Sequence, residues 1–320
     1  MTATDSGRAR LCVYAGERLG RYGFPEGHPF GPWRMTAFRE ALAALGLDRQ
    51  VTFCKPEMAQ QQVIEYFHTH DYVERVKRLS VLGEGYLDAG DTPAFPGVYE
   101  AAATVIGAVT EALRRVMNGS CRRAFIPIAG LHHAHRDRAS GFCVFNDCAV
   151  AVEFLRSEFN IRRIAYVDID AHHGDGVFYA FEEDPDLIFA DIHEDGRYLF
   201  PGSGHASETG KGAAQGSKLN VPMPPGADDE AFLAAWPLVE RFVRQAEPEF
   251  ILMQCGADSV AGDPLTHLRY SAASHRHAAR RLCVLADSLC QGRIVGLGGG
   301  GYQRENIAAA WSAVVASFIE

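Results

Sequence analysis

The chain has 320 residues, of which 47% are hydrophobic and 22% charged, and its formal net charge is −9. This composition is typical of a globular protein, and we expect one α/β domain over residues 1–320. The acidic balance argues against a nucleic-acid partner, and the absence of a signal-peptide core or a long apolar run predicts a cytoplasmic protein with no membrane partner.

The order of apolar runs and helix-period segments predicts the fold class. Short apolar runs predict buried strands, at residues 10–14, 123–128, 163–167, 186–190, 250–254 and 293–297. Segments with helical periodicity lie between most of them, at about 35–45, 57–66, 98–117, 147–158, 228–245, 272–289 and 304–318. This alternation predicts a doubly wound, mostly parallel sheet flanked by helices. Residues 200–227 are rich in Gly and Pro, and we expect a loop over the site there.

The first polar motif follows the run 123–128, where His132 and His133 stand side by side. A single histidine at such a position is usually a surface residue or a satisfied core residue. For an adjacent pair at a strand end, a catalytic acid–base role is as well supported as a surface or core role. Ligands bind outside the carboxyl ends of the strands in open α/β sheets, so we expect this motif and those that follow later strands to share one pocket.

The second motif follows the run 163–167 and is rich in potential metal ligands. Strand alternation would place Asp168, Asp170 and His172 on one side, where a carboxylate and an imidazole can converge on a cation. Such residues are also common as capping or supporting groups, and Asp168 and the nearby Asp175 could instead orient the two histidines. An uncompensated cluster of this charge is costly to bury, so the sequence predicts a metal site.

The run 250–254 is followed by Asp258 and Asp263, and either could complete a three-ligand site. Three protein ligands would leave one coordination position open, as a catalytic metal requires. Asp263 precedes Pro264, and there a role in capping a turn is the better interpretation.

The last motif follows the run 293–297 and consists of four glycines and Tyr302. No Lys or Ser/Thr follows the glycines, as a phosphate-binding P-loop requires. A close backbone approach that presents the Tyr302 phenol fits better, and this hydroxyl could donate a hydrogen bond to a developing oxyanion.

Taken in order, these motifs resemble those of the zinc-dependent histone deacetylase superfamily. The matching segments are GlyLeuHisHisAla (130–134), SerGlyPheCysValPheAsnAsp (140–147), AspIleAspAlaHisHisGlyAspGlyVal (168–177), GlyAlaAsp (256–258) and LeuGlyGlyGlyGlyTyr (297–302). The resemblance extends from residue 21 to the C-terminal helix and is strongest to the bacterial branch associated with acetoin utilisation. It implies an arginase/deacetylase-like fold and hydrolysis of acetyl groups from acetyl-lysine in proteins, peptides or small molecules.

The resemblance also implies roles for the metal-site residues. Asp170, His172 and Asp258 would be the ligands of Zn²⁺, and Tyr302 would polarise the acyl carbonyl. Ligation by two aspartates and a histidine tolerates Fe²⁺ as well, so the native metal stays open.

By the same resemblance, the tandem histidines divide the proton transfers. His133, held by Asp175, would take a proton from the attacking water and return one to the leaving amine. His132, held by Asp168, would mainly tune the charge of the site. A water bound to zinc has a pKa of about 7, which makes an imidazole a well-matched base.

Four further residues match substrate-binding positions of the family. Gly141, Phe142 and Phe200 would line the tunnel around the lysine stem, and Asp91 would accept substrate backbone N–H groups at the rim. From the residues alone, the two phenylalanines would be core residues and Asp91 a turn or N-cap residue.

Two departures from the family pattern affect these expectations. Where the family commonly has Ser-Leu-His near a structural potassium ion, this chain has Asp191, Ile192 and His193. An extra carboxylate could strengthen cation binding or change which ion binds. The residues expected around this cation are Asp168, Asp170, His172, Asp191 and Ile192. Leu265 occupies the position at which polyamine-specific relatives carry a glutamate.

Other functions stay open beside a lysine deacetylase. An acetylpolyamine amidohydrolase is the second candidate, although Leu265 and the absence of a long loop insertion argue against it. A manganese ureohydrolase would need a second set of metal-binding acids. A catalytically silent acyl-lysine binding module would not need Tyr302 and both histidines. The sequence leaves the physiological substrate, the acyl-chain preference and the oligomeric state open.

Overall fold

The computed structural model describes residues 9–25 and 27–320. Within these ranges, eight strands form one sheet in the order β2-β1-β3-β8-β7-β4-β5-β6, and every strand pair is parallel. The strands are β1 Ala9–Tyr14, β2 Thr52–Cys54, β3 Cys121–Ile126, β4 Ile164–Asp168, β5 Leu187–Glu194, β6 Lys218–Met223, β7 Phe250–Gln254 and β8 Ile294–Leu297. The expected parallel α/β sheet is therefore confirmed. Residues 1–8, which belong to the N-terminal segment without a signal-peptide core, lie outside the described residues.

Helices flank the sheet in two groups, in which α10 packs on α9 and α2, and α5 packs on α6 and α4. The helices are α1 Glu17–Gly20, α2 Trp33–Ala44, α3 Gln61–Ile64, α4 His70–Leu82, α5 Val98–Met117, α6 Asp147–Phe159, α7 Asp175–Ala180, α8 Asp229–Ala246, α9 Ala272–Leu289 and α10 Arg304–Ile319. None of these helices within the described ranges is long and apolar enough to cross a bilayer.

The register of the sheet brings the ends of its strands into one row. Asp168 pairs with Asp191 on β5 and with Gln254 on β7, and Gln254 pairs in turn with Leu297 on β8. Leu297 also pairs with Ile126 on β3. Every polar motif singled out in the sequence follows one of these strands, so all of them emerge at the same edge of the sheet.

Three expectations about individual elements are wrong. The helix expected over 57–66 spans only Gln61–Ile64, because residues 57–59 run against α5, where Ala59 N–H donates to Ala103 O (2.9 Å). The segment 200–227 contains β6 at its end rather than only a loop. Strand β4 ends at Asp168, so alternation does not extend to residues 170 and 172, which lie in the following loop.

Besides β6, the sequence-based prediction lacked four elements, namely β2, α1, α4 and α7. β2 and α4 illustrate two different reasons. β2 is a three-residue edge strand with one buried side chain, which gives almost no periodic signal. α4 has a clearer signature, because Thr69 caps its first turn through Tyr72 N–H, Val73 and Val76 face the core, and Gly83 ends it in the left-handed conformation. This signal was present in the sequence and was missed.

Candidate active site

Asp170, His172 and Asp258 form a buried group that could hold a metal ion. One ligand atom from each lies within 4.8 Å of the others. His172 Nδ1 is 3.1 Å from Asp170 Oδ1 and 3.1 Å from Asp258 Oδ2. Asp170 and His172 come from the loop after β4, and Asp258 from the turn after β7, so adjacent strands bring them together.

The surrounding backbone holds the two carboxylates in place. Asp170 Oδ2 accepts hydrogen bonds from Gly300 N–H and from the Gln254 amide, both at 2.8 Å. Asp258 Oδ1 accepts the N–H of Ala171 at 3.0 Å. A Cβ added at Gly300 would lie 2.0 Å from Asp258 Oδ2, so only glycine fits there. Part of the glycine run therefore serves close approach to the carboxylates. Sequence reasoning missed Gln254.

The charges of this group fit a bound cation. Burial and the neighbouring Asp170 carboxylate raise the pKa of Asp258 to about 7. The buried carboxylates of Asp170 and Asp258, whose ligand atoms lie within 4.8 Å of each other, repel unless a positive charge lies between them. Two carboxylate oxygens and an imidazole nitrogen are ligand types that Zn²⁺ and Fe²⁺ both accept.

The tandem histidines stand beside this group, and each is hydrogen-bonded to its own carboxylate. His132 Nδ1 is 2.8 Å from Asp168 Oδ2, and His133 Nδ1 is 2.7 Å from Asp175 Oδ1. The two Nε2 atoms are 3.2 Å apart. Tyr166 also donates its hydroxyl to Asp168 Oδ2 (2.7 Å), so this carboxylate is firmly oriented.

The two imidazoles have opposite pKa shifts. Burial opposes protonation of His132, but the carboxylates of Asp168 and Asp170 outweigh it and raise its pKa to about 10. Burial and the charge of His132 lower the pKa of His133 to about 4, although Asp175 acts in the other direction. These shifts favour a protonated His132 and a neutral His133, whose Nε2 accepts the hydrogen bond from His132 Nε2–H at 3.2 Å.

Asn146 and Asp147, at the start of α6, hold the loop that carries the histidines. The Asp147 carboxylate accepts the N–H groups of Gly130 and Leu131, both at 2.8 Å. The Asn146 amide donates to Ala134 O (2.8 Å) and His132 O (3.3 Å). The reading of the individual residues assigned no role to this pair, although they end the SerGlyPheCysValPheAsnAsp segment.

Tyr302 lies at the inner end of the site, where its side chain is half-buried. Its N–H donates to Asp263 Oδ2 (2.9 Å), and Asp263 Oδ1 also accepts Leu265 N–H (3.0 Å). Asp263 therefore caps a turn, and Asp258 is the aspartate that joins the potential metal group. Burial and the carboxylates of Asp258 and Asp170 raise the pKa of Tyr302 well above its usual value, so the phenol keeps its proton.

Arg34, from α2, holds the glycine run in place. Sequence reasoning did not identify this residue. Its buried guanidinium donates to the carbonyl oxygens of Gly301 (3.0 Å) and Gly299 and lies over the ring of Phe30, with Cζ 3.8 Å from the ring centroid.

Gly141, Phe142 and Phe200 lie beside the tandem histidines and Tyr302, and we call these three residues the entrance of the site. The Phe200 ring is 5.1 Å from the His133 ring, and the Phe142 ring is 5.8 Å from the Tyr302 ring. A Cβ added at Gly141 would lie 2.6 Å from His133 Cδ2 and 3.0 Å from Phe200 Cε1, so a larger residue would obstruct the entrance. Phe200 is 46% exposed and is therefore not a core residue.

Two other expected substrate-binding residues lie farther out. The Asp91 side chain is exposed, and its carbonyl oxygen lies 3.1 Å from His28 Nε2. The His28 ring contacts Phe142, which links Asp91 to the entrance. Leu265 is 37% exposed and is linked to Tyr302 through Asp263.

Asp191 lies beside Asp168 in the sheet and is completely buried, as is the adjacent Ile192. Asp191 Oδ2 accepts Gly174 N–H (2.9 Å), and Oδ1 is 2.9 Å from His193 Nδ1. Burial and the negative charge of Asp191 both raise the pKa of Asp168, to about 6. Two buried carboxylates side by side fit a nearby cation.

Comparison with known proteins gives concordant results. A family model described as "Histone deacetylase domain" matches residues 28–318. The "Acetoin utilization protein AcuC" of Bacillus subtilis (strain 168) is 36% identical over 302 residues, which cover 92% of this chain and 78% of that protein. The protein of the same name from Staphylococcus xylosus is 33% identical over 316 residues, which cover 96% and 82%. The solved structure "Crystal Structure of HDA15 HD domain" superposes with a TM-score of 0.89 at 26% identity, covering 97% of this chain and 88% of that one.

Proposed function

The chain belongs to the histone deacetylase family, in its bacterial AcuC-type branch, and from this membership we propose that it is a zinc-dependent amidohydrolase that removes acetyl groups from lysine side chains. The substrates would be acetylated proteins, peptides or small molecules in the cytoplasm, with no nucleic-acid or membrane partner. The observation that carries the proposal is the buried Asp170/His172/Asp258 group beside the hydrogen-bonded pairs His132–Asp168 and His133–Asp175.

Zn²⁺, or Fe²⁺ in its place, would be held by Asp170, His172 and Asp258. When bound, it would polarise the acyl carbonyl and lower the pKa of a water molecule. Potassium would be held separately, by Asp168, Asp170, His172, Asp191 and Ile192. The adjacent buried carboxylates of Asp168 and Asp191 support a cation in this position.

The chain's own residues would carry the proton transfers. His133 Nε2 accepts a proton from the attacking water, and the imidazolium then formed is stabilised by Asp175 at 2.7 Å. His133 next donates this proton to the amine nitrogen of the leaving lysine. His132, held by Asp168, would mainly tune the charge of the site, while Tyr302 would donate its hydroxyl to the carbonyl oxygen as negative charge develops there.

Phe142 and Phe200 would enclose the aliphatic stem of the lysine, with Gly141 leaving room between them. At the rim, the exposed Asp91 would accept substrate backbone N–H groups. The same exposed carboxylate could bind an ammonium group, so an acetylpolyamine remains the second candidate substrate. Leu265 carries no charge at the rim and offers nothing to such a group.

The test is acetate release by metal-stripped protein reconstituted with Zn²⁺, measured on an acetyl-lysine peptide and an acetylated polyamine at equal concentration. We expect zinc-dependent release with a preference for the peptide. A preference for the polyamine would move the second candidate to first. Release that is absent or independent of metal on both substrates would refute the amidohydrolase and favour a binding module.

A further inference from the structure

The inner chamber of the active site is small. It has a volume of about 10 Å³, close to the minimum that a single water molecule requires. Its walls include Asp170 and His172 of the metal group, both tandem histidines and Tyr302. The remaining walls are Phe30, Leu131, Cys143 and the backbone of Gly130, Gly141, Gly299 and Gly300. A substrate that enters past Phe142 and Phe200 would place its acyl group against them.

Phe30 supplies the largest of these side chains, and several contacts keep it from moving aside. Its ring is 3% exposed and lies under the Arg34 guanidinium at 3.8 Å. It meets the rings of Tyr302 at 6.3 Å and Phe142 at 6.4 Å, both edge to face. Its backbone is also held, because its carbonyl accepts Phe24 N–H (2.9 Å) and its N–H donates to His28 Nδ1 (3.1 Å).

The other walls offer little room for adjustment. Gly130 and Gly299 approach so closely that a Cβ on Gly130 would lie 2.8 Å from Gly299 N. Leu131 is held through its N–H by Asp147, beside His132. Cys143 is already small. Apart from the proposed catalytic residues, Phe30 is therefore the wall residue whose truncation would enlarge the chamber most without changing the loop that carries the histidines.

We propose that Phe30 sets the upper limit on the length of the acyl group that the enzyme removes. This inference rests on the proposed deacetylase function and adds the specificity of the same site. A chamber of this size leaves room for little more than the acetyl methyl against the Phe30 ring, whereas a butyryl group would need space for two more methylenes. Packed protein interiors do not accept added methylenes without strain.

The experiment compares acetyl-, propionyl- and butyryl-lysine versions of one peptide on the zinc-loaded wild type and on Phe30→Leu and Phe30→Ala. We expect wild-type kcat/KM to fall by about tenfold or more from acetyl to butyryl. Both variants should reduce this ratio by about tenfold, through faster butyryl cleavage. Binding of the acetyl and butyryl peptides to the same variants in a Tyr302→Phe background, followed by fluorescence anisotropy, should show the same change in Kd without turnover.

Phe154→Leu is the matched control, because Phe154 is a buried aromatic on α6 that packs on Tyr66 and Phe159 and does not line the chamber. It should leave the acyl preference unchanged. If Phe30→Ala does not fold, Phe30→Leu decides the question. Equal wild-type rates on acetyl and butyryl peptides, or variants that lose both activities in proportion, would refute the role of Phe30 alone. A wild type inactive on every acyl peptide would instead overturn the proposed function and this inference with it.

Discussion

His132 and His133 are adjacent in sequence and close in space, yet their surroundings shift their pKa values in opposite directions. Asp168 and Asp170 both act on His132, whereas His133 has Asp175 on one side and the cationic His132 on the other. An imidazolium disfavours a second positive charge 3.2 Å away, so only one of the pair is protonated at neutral pH. The division into a charged and a neutral histidine thus follows from which carboxylates lie nearby.

At the residue scale, Tyr302→Phe tests the phenol as a hydrogen-bond donor. We expect turnover to fall by about a hundredfold to a thousandfold, which is typical for the loss of one oxyanion donor. Metal content and melting temperature should stay close to wild type. Tyr270→Phe is the matched control, since Tyr270 is also buried but packs on Phe232, away from the site. Near-normal rates for Tyr302→Phe would contradict the oxyanion role.

A second prediction concerns His68 and the stability of the fold in acid. Its Nε2 accepts the Asn146 N–H at 2.8 Å, so the ring must be neutral in the fold, and burial lowers its pKa from 6.5 to about 3. The unfolded state therefore binds more protons below pH 6.5, and the stability that neutral His68 contributes is lost as the pH falls from 6.5 towards 3. Between pH 7.5 and pH 5, this loss is about 2 kcal/mol.

The measurement is urea unfolding of wild type and His68→Gln at these two pH values. The glutamine carbonyl can still accept the Asn146 N–H but does not titrate. The free energy of unfolding of the variant should change less between the two pH values, by about 2 kcal/mol. His205→Gln, at an exposed position, should behave as wild type. The same pH dependence in wild type and His68→Gln would exclude His68 as a source of acid instability.

At the scale of elements, the start of α6 links a helix cap to the catalytic loop. Asn146 Oδ1 accepts Ala149 N–H (2.9 Å) as the cap, while its amide nitrogen donates to Ala134 O and His132 O. One side chain therefore stabilises the helix and positions the tandem histidines. The neighbouring Asp147 adds two more hydrogen bonds to the same loop.

Asn146→Ser separates these two functions. A serine still caps the helix but has no amide to hold the loop, so we expect kcat to fall by about tenfold to a hundredfold with little change in melting temperature. Asp228→Ser is the control, because Asp228 caps α8 through the N–H groups of Glu230 and Ala231. It should leave kcat unchanged. Equal kcat values for both variants would show that Asn146 serves only as a cap.

At the scale of the whole molecule, the parallel sheet decides which motifs meet. Asp168, Gln254 and Leu297 end adjacent strands in one register, so the segments after β4, β7 and β8 converge although they are far apart in sequence. One core cluster extends from Leu11 to Phe318. We propose from this continuity that the chain is a single domain, whose thermal unfolding would be one transition.

Metal removal tests the same convergence. Without a cation, the carboxylates of Asp170 and Asp258 repel each other, so chelation should lower the melting temperature and added Zn²⁺ should restore it. Zn²⁺ at a hundredfold excess over its Kd should stabilise the fold by about 3 kcal/mol. Asp258→Asn removes one charge and one ligand, so its melting temperature should respond little to either treatment. An equal response from wild type and Asp258→Asn would locate the bound metal elsewhere.

The sequence alone determined the parallel α/β class and the main strands, and it singled out the residues for which we propose chemical roles. These inferences depend on local signals: continuous apolar runs, helical periodicity, and polar clusters directly after strands. Pro264 favoured a turn-capping role for Asp263, but spacing alone could not assign Asp258 to the metal group, and no pattern identified Arg34, Gln254 or Phe30 as wall or support residues. A side chain that acts by supporting another has no local signature.

Only the tertiary structure decided how these residues act together. Strand register brought Asp258 to Asp170 and left Asp263 to hold Tyr302. It also set the charge of each histidine, because a pKa depends on burial and on carboxylates that come from other strands and loops. The size of the inner chamber likewise depends on a ring that the α2 segment packs against the glycine run. Residue types are local properties of a chain, whereas distances, burial and electrostatic fields exist only once distant segments have packed.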